Sequence, residues 1–449
     1  MRHFPLLAAL SLLALSLSAQ QIRTEPTVPQ AGQPFQITVS GFWPDSIAPA
    51  VREVFLAGPN VIVITLGAEG NGDPVVTPFI ARADVPALAA GTYDVRVRTA
   101  GTSSVKRYAR APITVAGTPA AFEPVSAAIG GIAGGTTVLF HHTACETFAC
   151  NGAQVFFGDK PAARVVSIGA LLAADTPPGS RVGPVDVRIV IAGQESLRPS
   201  AFTYVSPQQY ETILLPSFTD REIPGAFGSR WRVEHGVYNG NDVDLEAPVD
   251  FMNVERDCPI LCAGDPAIRA LRVSPVPTME PYTRSPNWLI HVRKPLDTAL
   301  RFSLRVRDLS RSDETWGTEL PVVHERDFAQ RVQLFDVPLQ ARFRQNLRIY
   351  ALPQGTTCCT GVTVRFYAID TNALLHETAA TLVRPPGGGG SPEFPSQPET
   401  VELSGLGNIA ALSGHDRVRV EVDGGSRLIW AYVSVTNNET QDVTVVSPQ

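Results

Sequence analysis

Two dipeptides, His324-Glu325 and His376-Glu377, carry the residue types that open a zinc-protease helix. That chemistry needs a second His four positions on, so that both imidazoles share one helix face, and those positions hold Phe328 and Ala380. No Gly-x-Ser-x-Gly elbow and no phosphate loop ending in Gly-Lys-Ser/Thr occurs. Gly405-Leu-Gly-Asn-Ile-Ala410 comes close to a dinucleotide fingerprint but lacks a βαβ setting, which makes it a turn between strands. His415-Asp416 has the types of a base and its orienting acid, without a third partner that spacing can place. Scattered carboxylates could still meet in space as a glycosidase pair, since their separation in the fold decides that. The expectation is a protein without catalysis, and with no cofactor or resident metal.

Metal and redox chemistry would fall to His and Cys. His141-His142 precede Cys145 and Cys150, but neighbours on a strand point to opposite faces, so the two His cannot easily share an ion. The six Cys are Cys145, Cys150, Cys258, Cys262, Cys358 and Cys359. An even number in an exported chain reads as a disulfide framework, with fifteen possible pairings for six. Cys145/Cys150 and Cys258/Cys262 are close enough to pin loops. Cys358-Cys359 either forms a vicinal bond or reaches two partners. Asn239-Gly-Asn-Asp-Val-Asp-Leu-Glu246 offers oxygens that calcium could use, but it is not an EF-hand loop and a polar hairpin turn is the better reading.

Aromatic residues are the remaining candidates. Exposed Trp on a β-face can stack on sugars, whereas Trp in a sandwich commonly packs in the core. Trp231, Trp288 and Trp316 are the candidate stacking residues, and Trp430 reads as a core anchor.

Several features of the chain bear on where it works. Residues 1–19 have a short polar start (Arg2, His3), an apolar run Phe4 to Leu17 and small residues to Ala19, which reads as a secretory signal. The run is short for a membrane span of ~20 residues. Net charge is −6, and loss of the leader removes one Arg and no acid. A mildly acidic, evenly spread balance argues against nucleic acid and anionic membrane as partners. The chain has 38 Pro and 36 Gly, which punctuate short Val/Ile/Thr-rich runs and point to an all-β fold.

The strands that must carry these residues fall into modules. Residues 22–116 read as one sandwich: Phe35–Val39, Val51–Leu56, Val61–Leu66 and Gly91–Arg98 are short alternating runs separated by turn clusters. They resemble immunoglobulin-like modules of exported bacterial proteins. In 119–205 the order is Pro124-Val-Ser, Gly130-Gly131, Gly134-Gly-Thr-Thr-Val-Leu-Phe140, Val155-Phe-Phe-Gly-Asp-Lys-Pro-Ala162, Asp175-Thr-Pro-Pro178, Gly183–Ile189 and Ala201-Phe-Thr-Tyr204. This series resembles the IPT/TIG family of immunoglobulin-like domains. The resemblance covers about a fifth of the chain and implies a spacing or binding role, with no catalytic residue. Residues 210–449 read as one large β-sandwich. Ribbons at Trp231 and Trp430 are expected to bracket it, and a flexible Gly/Pro loop at 384–398 to interrupt it. In Leu300–Arg307 the apolar residues alternate with Arg301, Ser303, Arg305 and Arg307, which predicts one buried face and one basic, wet face.

The expected architecture is therefore all-β, with two immunoglobulin-like sandwiches ahead of a larger one. The expected function is non-catalytic: a secreted or cell-surface modular protein serving interaction, adhesion or spacing, with a protein or glycan partner outside the cell. One rival is carbohydrate binding through the C-terminal region, and another is a hydrolase with a dispersed site.

Overall fold

Period-two alternation dominates the chain, and its strands close into paired sheets. The computed structural model describes residues 21–57, 60–70, 72–100, 105–126, 128–147, 150–217, 222–245, 250–252, 268, 272–274, 287–311, 316–353, 360–384, 390–391 and 393–448. The expected leader 1–19 lies outside them, as do Cys258, Cys262, Cys358 and Cys359. Among the described residues every helix is a single short 3-10 turn, and none is long and apolar enough to cross a membrane. The fold is all-β and is built of several two-sheet sandwiches.

The first sandwich packs Gln21–Glu25, Phe35–Trp43 and Thr77–Val85 against a sheet of Ala50–Ala57, Val61–Gly67, Gly91–Ala100 and Val105–Val115. Ile37, Val39, Ile62, Ile64, Val95 and Val97 fill its core, as the alternation of each strand dictates. The second runs from Phe122–Pro124 to Gln194–Val205, with Val138, Phe140, Phe157, Ile189 and Phe202 inside. The Cys145–Cys150 disulfide also lies in this core, closing a short loop with a Cα–Cα distance of 5.2 Å. His141 and His142 do face opposite ways. His142 is buried and stacked on Phe122, while His141 faces Glu146 at 3.4 Å.

Where one sandwich was expected over 210–449, the strands form two sheet pairs with separate cores. The Trp231 strand, Arg230–Asn239, pairs with Leu300–Asp308. The Trp430 strand, Ile429–Asn437, pairs with Phe343–Ala351 in another sheet. The two ribbons therefore do not bracket one core. Both faces of Ile429–Asn437 are buried: Ile429, Ala431, Val433 and Val435 enter the fourth core, and Trp430 and Tyr432 pack with Leu214, Leu289 and Val323 of the third sandwich. A strand that alternates two apolar sets serves a core on one side and a module contact on the other.

The sandwiches meet at a second apolar centre. Phe55, Ala57 and Val63 of the first, Ile129 and Val205 of the second, and Tyr210 and Met252 of the third surround Phe394. Phe394 comes from the tract expected to be a flexible loop. Residues 385–389 and 392 of that tract lie outside the described residues, but Phe394, Ser396 and Gln397 are buried. Pro395 accepts from His291 Nε2 at 2.9 Å, and Ser396 accepts from the Leu289 N–H at 2.8 Å. The aromatic plug and its backbone bonds hold this part of the tract in place.

Buried ion pairs surround the junction. Arg98 of the first sandwich makes a bidentate contact with Asp250 of the third at 2.7 and 3.2 Å, both side chains being almost solvent-free. Arg293 lies 3.4 Å above the Phe55 ring, pairs with Glu53 and donates to the Tyr210 hydroxyl. The polar run at 239–246 also has a structural use. Asn239 donates to the carbonyls of Val243 and Ile268, and Asn241 Oδ1 accepts from the Val105 N–H at 2.8 Å, tying the third sandwich to the first.

Candidate functional site

The third sandwich opens at one end into a cleft of about 580 Å³ between its two sheets. Strand parity places the groups there. Along Tyr210–Leu215, Ile213 and Leu215 enter the core, so Glu211 sits on the same core-facing side, behind the lining residues His324 and Arg326. Asp297 comes from the turn Leu296–Ala299, Arg301 and Phe302 from the start of Leu300–Asp308, Glu319 from Thr318–Glu319, and His324 and Arg326 from the end of Val323–His324 and the turn after it. Leu300 and Leu320 of the core form the floor.

The polar atoms of this cleft are poorly satisfied. Glu211 is 7% exposed and Asp297 9%. His324 Nδ1 lies 3.4 Å and Arg326 Nη1 3.6 Å from Glu211 Oε1, close enough for charge attraction but without hydrogen-bond alignment. Glu211 Oε1, Asp297 Oδ1 and His324 Nδ1 have no hydrogen-bond partner. Buried acceptors are normally paired, and leaving one unmade costs about 1–3 kcal/mol. Burial raises the proton affinity of Asp297 above that of an ordinary carboxyl, and the Glu211 charge adds to it. A hydrogen bond from its own backbone N–H opposes the rise most, followed by Lys294 and His324, without cancelling it. A smaller cleft of about 270 Å³ lies in the second sandwich, where the polar groups are largely engaged. There Lys160 donates to the Pro178 carbonyl and Asp186 accepts from the Ser200 N–H.

The three Trp candidates do not assemble. Trp288 is 4% exposed and belongs to the third core, which removes it as a stacking residue. Trp231 is half-buried with its indole against Gly225, too close to leave room for a Cβ there. Trp316 is 67% exposed, and the Arg305 guanidinium covers its ring at 3.8 Å. The outer face of Leu300–Asp308 is arginine-bearing, as the alternation predicted, and Arg307 pairs there with Glu234 at 3.0 Å. The sequence reading passed over Glu211 and Asp297 and weighed His324 only as a zinc ligand. The one available signal was an acid at core parity in Tyr210-Glu-Thr-Ile-Leu-Leu215.

No family model matches the chain, and no curated protein matches it. Solved structures similar to it include a gamma-CGTase from alkalophilic Bacillus clarkii, at 12% identity and TM-score 0.17, covering 66% of this chain. This chain spans only 36% of that enzyme's length. Another is the Bacteroides ovatus mixed-linkage glucan utilization locus SGBP-B in complex with a mixed-linkage heptasaccharide. It matches at 10% identity and TM-score 0.18, covering 77% of this chain and 85% of that one.

Proposed function

We propose that this chain is an exported, non-catalytic modular binding protein that presents a ligand site on a rigid multi-sandwich scaffold. The observation that carries the reading is the shared junction around Phe394. Three sandwiches and a segment of the fourth bury one apolar centre, with Arg98–Asp250 and Arg293–Glu53 beside it. Modules joined only by linkers would swing independently, whereas a common core makes them a spacer of fixed geometry. The second sandwich serves as an IPT/TIG-type spacing module on the strength of its Gly-Gly-Thr, Phe-Gly and Phe-x-Tyr series. The leader sequence directs the protein to the cell exterior, where its partner is a glycan or a protein.

The deciding experiment applies the chain without residues 1–19 to a glycan array and to pull-downs from cell-surface extract. Saturable retention with the bound glycan recovered intact supports the reading. Shortened glycan products overturn it.

One observation favours hydrolysis as a second reading. Asp297, with raised proton affinity, shares the cleft with His324, against which Glu211 stands, and two carboxyls whose environments differ are what an acid and a base require. Release of reducing ends that disappears in both D297N and E211Q would establish it.

A further inference from the structure

The charge inventory of the third-sandwich cleft restricts what it can hold. Asp297 and Glu319 are balanced by Arg301 and Arg326, with His324 also in the lining. An anionic ligand would meet two acids, and a cationic one would meet two guanidinium groups. Among the described residues no group of three His, Cys, Asp or Glu is disposed to hold a metal ion. What remains short of partners is acceptor capacity. Asp297, a residue 9% exposed, lines the cleft, and its Oδ1 has no donor to meet it. The arginines supply donors within the same space, and Phe302, Pro321 and Val322 supply an apolar wall. Paired donors and acceptors beside an apolar surface match a molecule with adjacent hydroxyls on one edge and C–H groups on its face. The volume falls within the ~300–1,000 Å³ usual for small-ligand sites.

We propose, on the reading above that this protein binds rather than cleaves its ligand, that this cleft is a subsite for a neutral saccharide. The Asp297 and Glu319 carboxylates accept from ring hydroxyls, Arg301 and Arg326 donate to hydroxyl and ring oxygens, and Phe302 packs on the sugar's C–H face. Glu211 is a positioning residue: it stands behind His324 and Arg326 and holds both by charge. Trp316, exposed on the third sandwich, is the competing sugar platform.

The test titrates the chain lacking residues 1–19 with neutral oligosaccharides (cello-, malto- and xylo-series), with oligogalacturonate and with spermidine, using calorimetry. Wild type, D297A, D297N, E211Q, E211D and W316A are compared, and thermal melts confirm that each is folded. Neutral oligosaccharide binding should weaken at least tenfold in D297A and less in D297N, and should persist in W316A. E211Q should weaken binding and E211D should restore it in part, because a carboxamide no longer answers the Arg326 guanidinium while the shorter carboxylate still does. Unchanged affinity in folded D297A and D297N, or loss confined to W316A, overturns the subsite while leaving a saccharide-binding protein. Binding only to oligogalacturonate or spermidine overturns the neutral-ligand assignment. If no oligosaccharide binds while a protein partner is retained in the pull-down, the subsite is overturned and the binding reading stands.

Discussion

The junction and the cleft both bury charge, and they treat it differently. At the junction Arg98 meets Asp250 through two hydrogen bonds, and Arg293 has a carboxylate, a hydroxyl and an aromatic face. In the cleft Glu211 and Asp297 are nearly as buried, yet each has an oxygen without a donor. Buried charges fully answered by neighbours hold modules together, and removing one partner strands the other. Buried charges left unanswered lower stability while the site is empty and are what a ligand can satisfy. The first arrangement suits a scaffold and the second a binding site.

Breaking the junction should have the largest effect. Arg98→Ala leaves Asp250, which is solvent-free, without its cation, and should cost about 3–5 kcal/mol by urea denaturation. A midpoint equal to wild type would mean that water reaches the junction and the two regions do not differ. Phe394→Ala opens a cavity among three sandwiches and should cost about 3 kcal/mol or more. Hydrogen exchange should rise at Ile129, Val205 and Tyr210 together, while a rise confined to one module would argue against a common core.

Acid should loosen the same region by a smaller, titratable amount. His291 is fully buried, its Nε2–H donating to the Pro395 carbonyl and its Nδ1 accepting from the Thr212 hydroxyl. Burial pushes its pKa down to about 4. The neutral imidazole is the folded form, so its contribution is complete above an unfolded value of ~6.5 and is lost as pH falls toward 4. The gap corresponds to about 3 kcal/mol at its full extent. Denaturation midpoints at pH 7 and pH 4.5 should diverge in wild type and much less in His291→Asn.

The smallest effect has the opposite sign and sharpens the contrast most. The folded pKa of Asp297 is raised, so the carboxyl stabilises the fold only while protonated, and that contribution is lost as pH rises through the raised value. D297N should therefore raise the melting temperature at pH 7. The gain should vanish well below the ordinary Asp value of ~3.9, where wild type is protonated in both states. A lower melting temperature at pH 7 would show that Asp297 is already satisfied and that the cleft resembles the junction.

The fold was largely legible in the chain because strand parity is local. Leu300 and Leu304 face the core as alternation puts them, and His142 and His141 part to opposite sides. Trp430 is buried as its reading as a core anchor requires, but parity could not show that a second module covers that face of the strand. Composition failed in the Gly/Pro tract, because one aromatic, Phe394, found a pocket built by three other segments.

What the sequence determined alone is an all-β chain of punctuated strands, with the inward and outward sides of each, since a two-residue period needs no knowledge of partners. Only the tertiary structure decided that residues 210–449 make two cores, that Trp288 is interior, and that Asp297 and His324 share one cleft with Glu211 set against His324. Those residues span more than a hundred positions. Their proximity depends on which strands pair and where two sheets part, and no local pattern encodes that.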